Sequence, residues 1–320
     1  MKSTMKAALI HNFEGIEKIS LEEVSLPLPK DHEVQIAVKY AGINPVDWKI
    51  AEGLLKTRMQ YELPIILGWD AAGEISQVGK NVNNLKIGDP VFAYCRKEII
   101  RDGSFAEYIC LTAENVVKKP KRLTFAEAAA IPLCALTAWQ SLYDAARLKP
   151  REWVLIHAGA GGVGSLAIQL AKLAGAHVIT TSSKVHFGYV KALGADEVID
   201  YTQENFIDFL HKNHPKGVDV IYDTVGGDTL KASYQAAKEG GRLITIAGIV
   251  DQALASKQHL MAEFVFVRPD GKELSQIASL FEKKRLIPPH IQEVPFDEIA
   301  LALRKSREGH TQGKLVVNMA

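Results

Sequence analysis

Three glycines at 159, 161 and 164, in the run Gly159-Ala160-Gly161-Gly162-Val163-Gly164, follow an apolar stretch at 153–157 and open a helical pattern that runs to Leu173. Between a strand and a helix, the first glycine of such a G-x-G-x-x-G permits a tight turn and the second admits a pyrophosphate against the backbone. The third lets helix and strand close up, while the helix N-terminus supplies N–H donors and partial positive charge. The spacing therefore predicts a dinucleotide held at Gly159, Gly161, Gly162, Val163 and Gly164; the competing reading is a glycine-rich turn with no ligand. About twenty residues beyond the first glycines, NADH-binding chains place an Asp or Glu on the ribose 2′-hydroxyl. Here that place reads Thr180-Thr181-Ser182-Ser183-Lys184, with no acid. Ser182, Ser183 and Lys184 suit a 2′-phosphate, which two hydroxyls and an ammonium can bond, so NADPH is expected over NADH. The alternative is that they cap the next helix and face water.

These residues need elements to hold them. Up to about Phe125 the chain shows short runs rich in Gly, Pro, Val and Ile, such as 33–38 and 90–93, separated by turn signals, which predicts a strand-rich domain. From about Glu127 the rhythm changes to an Ala-rich helical run and then apolar runs at 153–157, 177–181, 197–199, 218–222 and 242–246 with helical segments between them. That alternation predicts a doubly wound parallel sheet with right-handed crossovers. After the run 264–267 come a helix at 272–284, a Pro-containing stretch and a last strand near 314–317 that returns to the first domain. The expected division is 1–126 with 268–320 as one domain and 127–267 as the other. A chain of 320 residues has enough material for two cores.

Composition narrows the partners. A hydrophobic fraction of 47%, a charged fraction of 23% and a formal net charge of +1 give no bulk attraction to nucleic acid or acidic membranes. Cys95, Cys110 and Cys134 are few and unpatterned, which suits a reducing compartment and provides neither a disulfide framework nor a zinc cluster. A cytoplasmic location is expected, since the apolar run at the start is too short for a signal peptide and no later stretch would span a membrane.

Several further motifs agree with one another: Ala41-Gly42-Ile43-Asn44-Pro45-Val46-Asp47; the glycine-spaced stretch 68–73 with Val78-Gly79 and Gly88-Asp89-Pro90-Val91; Leu136-Thr137-Ala138-Trp139; Leu193-Gly194-Ala195-Asp196; Asp223-Thr224-Val225-Gly226-Gly227; and Gly309-His310-Thr311-Gln312-Gly313-Lys314. With them the chain resembles, almost end to end, the zinc-free quinone oxidoreductase branch of the medium-chain dehydrogenase/reductases, the branch of zeta-crystallin-like and alkenal reductase-like enzymes. The resemblance implies an α/β protein with a GroES-like β-barrel domain plus a Rossmann doubly wound parallel sheet. It implies zinc-independent, NADPH-dependent reduction of quinones or α,β-unsaturated carbonyls (enones) by hydride transfer. It also implies a homodimer paired through the last Rossmann strands, where Phe264-Val265-Phe266-Val267 resembles such an edge; a core strand would explain the same residues without a partner.

The zinc-dependent cousins need a Cys in the first loop and Gly-His-Glu where this chain has Gly68-Trp69-Asp70. Asn44 takes the cysteine's place, Trp69 cannot ligate zinc, and Cys134 alone near the third ligand position makes no site, so no metal is expected. The resemblance makes Asn44 the first active-site residue, its amide donating to a carbonyl or to the nicotinamide ribose; the alternative is a turn former before Pro45. Lys49 is a candidate electrophile where many relatives carry Tyr, the alternative being a solvated lysine. Asp47 either orients Lys49 or, by preference, caps the short helix. Tyr94 borders the pocket or simply packs. Thr137 resembles the residue whose hydroxyl lies by the nicotinamide, and Thr224, Gly248, Phe266 and Val267 fall at strand ends where the cofactor crosses. Tyr201 would stand beside the adenosine phosphate with Lys184, the alternative being surface packing, and Lys314 and His310 would close over the phosphates from the terminal loop, the alternative being that they are simply solvated.

Three rivals remain. An NADPH-binding redox sensor or nucleic-acid-binding regulator with little turnover is opposed by cations scattered among 37 acids. An alcohol dehydrogenase is opposed by the missing metal ligands. A structural protein on an inherited enzyme fold is opposed by the intact glycines and Asn44.

Overall fold

The computed structural model describes residues 3–309 and 311–319. The chain forms two compact units, one of Met1–Leu133 with Arg268–Ala320 and one of Cys134–Val267. No helix among the described residues is long and apolar enough to cross a membrane.

In the second unit the apolar runs form six strands, all parallel. Their order across the sheet is Glu197–Asp200, His177–Ser182, Trp153–Ile156, Val218–Asp223, Ala237–Thr245 and Met261–Phe264. In chain order this is 3-2-1-4-5-6, the doubly wound arrangement, with its reversal between the first strand and the fourth. Val154, Leu155, Ile156, Val178 and Ile179 are buried in succession, as strands covered by helices on both faces require. Leu155, Ile179, Ile199, Ile221 and Leu243 gather with Leu210 and Leu230 into one apolar cluster.

Two strand boundaries differ from expectation. The fifth strand begins at Ala237 and runs through Lys238, Glu239 and Gly240, which carry no apolar signal. The sixth is Met261–Phe264 and not 264–267. Its partner strand stops at Thr245, whose carbonyl takes a last bond from the Val265 amide at 2.9 Å; beyond it residues 265–267 have no ladder to join.

The first unit is strand-rich and centred on Glu33–Gly42. That strand pairs antiparallel with Asp70–Val78, with Tyr108–Thr112 and with the C-terminal Lys314–Asn318. Lys314–Asn318 also runs parallel to Ile291–Pro295, while Pro90–Tyr94 and Val116–Lys118 extend the far side. A second sheet orders Ser20–Ser25, Thr4–Ile10, Gln60–Ile66 and Ile99–Asp102. The returning C-terminal strand thus sits beside the end of the central strand, where the chain turns into the helix Pro45–Ala51.

Gly73 marks a close approach in this sheet: a Cβ there would lie 2.0 Å from the Ala37 carbonyl oxygen, near a register irregularity. Gly73→Ala is therefore expected to lower unfolding stability by ~1–3 kcal/mol through overpacking. Gly188→Ala, in the helix Phe187–Ala192 with nothing within 4 Å of its Cβ, is expected to raise it by up to about 1 kcal/mol. Urea unfolding of both variants checks the opposite signs.

Candidate functional site

The glycine run lies where the first Rossmann strand hands over to the helix Gly162–Leu173. A Cβ on Gly159 would meet Thr180 Oγ1 at 2.1 Å, and one on Gly164 the Ala158 carbonyl at 2.3 Å. Both glycines are required by packing inside the unit. A Cβ on Gly161 would meet only the Ala158 carbonyl, at 3.4 Å, so this backbone faces open space. Gly162 and Val163 are half-buried, no side chain caps the helix, and its first turn holds no acid. A helix N-terminus that is uncapped, free of carboxylates and bare of side chains at Gly161 fits a pyrophosphate.

The strand ends around it are braced by side chains. Thr180 Oγ1 donates to the Ile156 carbonyl at 2.7 Å, and Thr181 Oγ1 accepts from the Ala158 amide at 3.0 Å. Ser182 is buried and donates to the Ser183 carbonyl at 3.3 Å, whereas Ser183 is half-buried and Lys184 exposed. Of the hydroxylic run, then, Ser183 and Lys184 are open to a phosphate, while Thr180, Thr181 and Ser182 hold the loop. Ser182 pairs in register with Asp200, so Ser183 and the exposed Tyr201 leave neighbouring strands side by side. Across the sheet reversal Thr224 Oγ1 donates to the His157 carbonyl at 2.8 Å. Asp223 accepts from the Val225 and Gly226 amides, each at 3.0 Å, and from the Thr245 hydroxyl at 2.7 Å. Gly248 packs on Leu230, Phe266 is 44% exposed, Val267 is buried, and Thr137 is buried in the helix Pro132–Trp139, its carbonyl accepting from the Tyr222 hydroxyl.

His157 was not anticipated. It is buried beside the glycine turn, with Nδ1 3.3 Å from Thr181 Oγ1 and Nε2 3.1 Å from Ser233 Oγ. Burial pulls its pKa down to about 4, against the opposing charge of Asp223, so a neutral imidazole braces the turn. Only its position at a strand end could have flagged it.

In the first unit the site is built from a buried polar cluster. Asn44 precedes the helix Pro45–Ala51; its Nδ2 donates to Asp70 Oδ2 at 2.8 Å, and its Oδ1 accepts from Lys314 Nζ. Lys314 Nζ lies 3.6 Å from Asp70 Oδ2, and Asp70 Oδ1 accepts from the Leu133 amide at 2.7 Å. This corrects two expectations. Both hydrogens of the Asn44 side-chain amide are directed inside the unit, one to Asp70 and the other to the Gly42 carbonyl 3.4 Å away, and not to a ligand. Lys314 opens a strand instead of closing a terminal loop, with 5% exposure and its charge facing Asp70, so it does not reach out to a phosphate. His310 lies outside the described residues. Asp47 accepts from the Asn44 amide at 2.7 Å, which is the capping role expected of it. Tyr94 is buried with its hydroxyl unpartnered, and burial raises its pKa.

Lys49 lies on the same short helix, half-buried, with Nζ 5.5 Å from the centre of the Trp48 ring. Burial lowers its pKa and the Arg58 guanidinium lowers it further. A half-buried ammonium that parts more readily with its proton can both polarise a carbonyl and protonate the anion that forms.

Residues 30–121 match the family described as alcohol dehydrogenase GroES-like domain, and residues 193–317 match zinc-binding dehydrogenase. Over 99% of both chains the protein is 33% identical to the chloroplast envelope quinone oxidoreductase homolog of Arabidopsis thaliana. The chain belongs to the medium-chain dehydrogenase/reductase superfamily. Within these nicotinamide-dinucleotide-dependent oxidoreductases it falls in the quinone oxidoreductase branch. It is also similar, at 33% identity over 98% of this chain and 79% of the other, to the NADPH-dependent alkenal/one oxidoreductase, chloroplastic, of the same plant. A solved quinone oxidoreductase from Coxiella burnetii superposes with a TM-score of 0.87 at 33% identity, over 99% of this chain and 100% of that one.

The zinc that gives one dehydrogenase/reductase family its description does not fit the residues here. Asn44 is committed to Asp70 and Lys314, and Trp69 offers no ligand. Burial raises the Cys95 thiol well above its ordinary pKa and the Cys110 thiol to about 12, disfavouring the thiolates a metal needs. Among the described residues no three of His, Cys, Asp or Glu gather in a ligating group.

Asp47 sets a test. Burial raises its pKa from 3.8 to about 7, opposed by the Asn44 and Gly68 amides and by Lys314. The folded state then keeps a proton that the unfolded state releases, so stability falls as pH rises from about 4 to 7. Asp47→Asn removes this term and is expected to gain ~4 kcal/mol relative to wild type across that window. Urea unfolding at pH 4.5, 5.5 and 7 measures it, and a pH-independent difference would show that Asp47 titrates as an ordinary carboxylate.

Proposed function

We propose that this protein is a zinc-independent, NADPH-dependent reductase of quinones or α,β-unsaturated carbonyls. The observation that carries the reading is the polar centre of the first unit, where Asn44, Asp70 and Lys314 are bonded to one another and a half-buried ammonium, Lys49, follows five residues beyond Asn44. A bound NADPH supplies hydride. Gly161, Gly162 and Val163 would hold its pyrophosphate through the backbone, and Ser183, Lys184 and Tyr201 would hold the 2′-phosphate that separates NADPH from NADH. Thr137, Thr224, Gly248, Phe266 and Val267 would line the remaining course of the cofactor. Residues 1–126 with 268–320 serve in this reading as the catalytic domain and 127–267 as the nucleotide domain.

The rest is the work of Lys49. Its charge draws electrons toward the substrate oxygen, so that the β-carbon of an enone, or the quinone, accepts hydride more easily. Its Nζ holds the proton that the resulting oxyanion takes. An ammonium is a weaker electrophile than a divalent metal; it suffices for an already activated acceptor and falls short for oxidising an alcohol. Asn44, Asp70 and Lys314 position the loop without touching the reacting atoms. A reducing, cytoplasmic setting fits the three buried free thiols, and the exposed Met261 and Phe266 at the edge of the parallel sheet are the surface we assign to a homodimer.

Loss of NADPH absorbance is followed with benzoquinone, phenanthrenequinone, an alkenal and a simple aldehyde, with and without chelator, and with NADH in parallel. Turnover of a quinone or the alkenal is expected, indifferent to chelator. Lys184→Ala is expected to raise the KM for NADPH by ~10-fold and to leave that for NADH nearly unchanged. Lys49→Met is expected to lower kcat/KM by ~10–100-fold. Tight NADPH binding without turnover of any acceptor would overturn the reading in favour of a sensor.

A further inference from the structure

His157 stands two residues before Gly159, and both its backbone and its ring are bonded to other parts of the second unit. Its amide donates to the Tyr222 carbonyl at 3.0 Å and its carbonyl accepts from Thr224 Oγ1 at 2.8 Å, which locks the main chain to the strand Val218–Asp223. Phe206 meets its buried ring edge-on at 4.7 Å.

The hydrogens of that ring follow from the hydroxyls around it. Ser233 Oγ gives its only hydrogen to the Thr229 carbonyl at 2.7 Å, so at its 3.1 Å contact with His157 it accepts, and Nε2 carries the ring hydrogen. Burial keeps the imidazole neutral, which leaves a lone pair on Nδ1 for the Thr181 hydroxyl at 3.3 Å. Thr181 Oγ1 in turn accepts from the Ala158 amide at 3.0 Å. The hydrogens therefore run one way, from Ala158 through Thr181, His157 and Ser233 to the Thr229 carbonyl in the helix Gly227–Ser233. Aligned bonds of this kind polarise and strengthen one another away from water.

The residue at the head of this chain is the one that needs holding. Ala158 has a φ of 52°, a left-handed conformation that is costly for a residue with a Cβ, and it leads into the glycine turn. Its amide is held by Thr181, and its carbonyl accepts from the Gly161 amide at 3.0 Å. Relaxation of Ala158 to a negative φ would swing that carbonyl away from Gly161, and the amides of Gly162 and Val163 that follow would lose their aim.

We propose that His157 is a positioning residue for the dinucleotide: by accepting from Thr181 it holds Ala158 in its left-handed form and so fixes the amides that meet the pyrophosphate. It touches neither cofactor nor substrate. The inference rests on the nucleotide-binding part of the reading above and adds the side chain that shapes the binding turn.

Two substitutions at His157 divide its bonds between them. Asparagine places its side-chain oxygen near the position of Nδ1 and glutamine reaches to that of Nε2, so His157→Asn keeps an acceptor for Thr181 and gives up Ser233, while His157→Gln does the reverse. Both lose the ring that packs on Phe206, and both are expected to unfold at lower urea than the wild type. Fluorescence titration with NADPH and with NADH separates them: His157→Gln is expected to weaken both dinucleotides ~10-fold, and His157→Asn to stay within ~3-fold of the wild type. Thr181→Val is expected to follow His157→Gln, and Thr181→Ser to follow the wild type. With an acceptor that is turned over, the loss is expected in the KM for the cofactor more than in kcat. Long-range proton–nitrogen NMR of histidine-labelled protein is expected to show the hydrogen on Nε2 at neutral pH. Equal weakening by the two His157 substitutions, unchanged affinity in His157→Gln and Thr181→Val, or a hydrogen on Nδ1 overturns the inference and leaves the reductase reading standing. NADPH binding without turnover of any acceptor overturns the reductase reading, and this inference then stands or falls on the same titrations. No binding of either dinucleotide by the wild type overturns both.

Discussion

The contact on which the first unit depends is the one between the Lys314 ammonium, the Asp70 carboxylate and the Asn44 amide. This unit is assembled from two stretches of chain separated by the whole of the second unit, and Lys314 belongs to the later stretch. Its Nζ meets Asn44 and Asp70, which end and begin neighbouring elements of the earlier stretch, while the Leu133 amide closes on the other oxygen of Asp70. Strand pairing alone would let the C-terminal strand slide along Glu33–Gly42. A buried charge that is satisfied in one position only sets the register, because a slip would strand it against apolar neighbours. The helix Pro45–Ala51, and Lys49 with it, starts from that pinned point.

The second unit solves a different problem with different material. A phosphate carries its own charge and its own acceptors, so the protein needs only exposed N–H groups and a gap into which no Cβ projects. The chain leaves that gap at Gly161 and closes the flanking ones at Gly159 and Gly164 by packing. Side chains serve there as braces: Thr180, Thr181, Thr224, Asp223 and neutral His157 hold the strand ends so that the bare backbone stays presented. One unit thus presents backbone and the other presents side-chain charge.

That difference explains what could be read in advance. The glycine motif and the parallel strands are local: each glycine is needed for a neighbour within a few residues or one strand away, and the strands announce themselves by buried β-branched runs. Family, fold and the glycine turn between strand and helix were accordingly legible. Asn44 was visible by its place in a motif, but its partners are 26 and 270 residues distant, and nothing at position 44 tells an amide facing a ligand from one facing Lys314. Lys314 looked like a loop cation for the same reason. The sixth strand was displaced because its end is set by where its neighbour stops, at Thr245, a property of pairing and not of its own residues. His157 carries no pattern; its burial is decided by Phe206 and Ser233, which come to it from later in the chain.

The two lysines of the first unit show how one residue type is put to opposite uses. Lys314 is almost wholly buried yet faces a carboxylate, so its charge is compensated. Lys49 is less buried, but it faces a guanidinium and an aromatic ring, so its charge is left over. Compensation makes an ammonium a rivet; its absence makes one available to a developing oxyanion. A metal in this place would have supplied more charge, but it would also have needed Asn44 and Asp70 as ligands or neighbours, and both are consumed in holding the chain together. Within the proposed reading, giving up the metal and pinning the two stretches of the first unit are therefore one structural choice. It confines the chemistry to acceptors that an ammonium can activate.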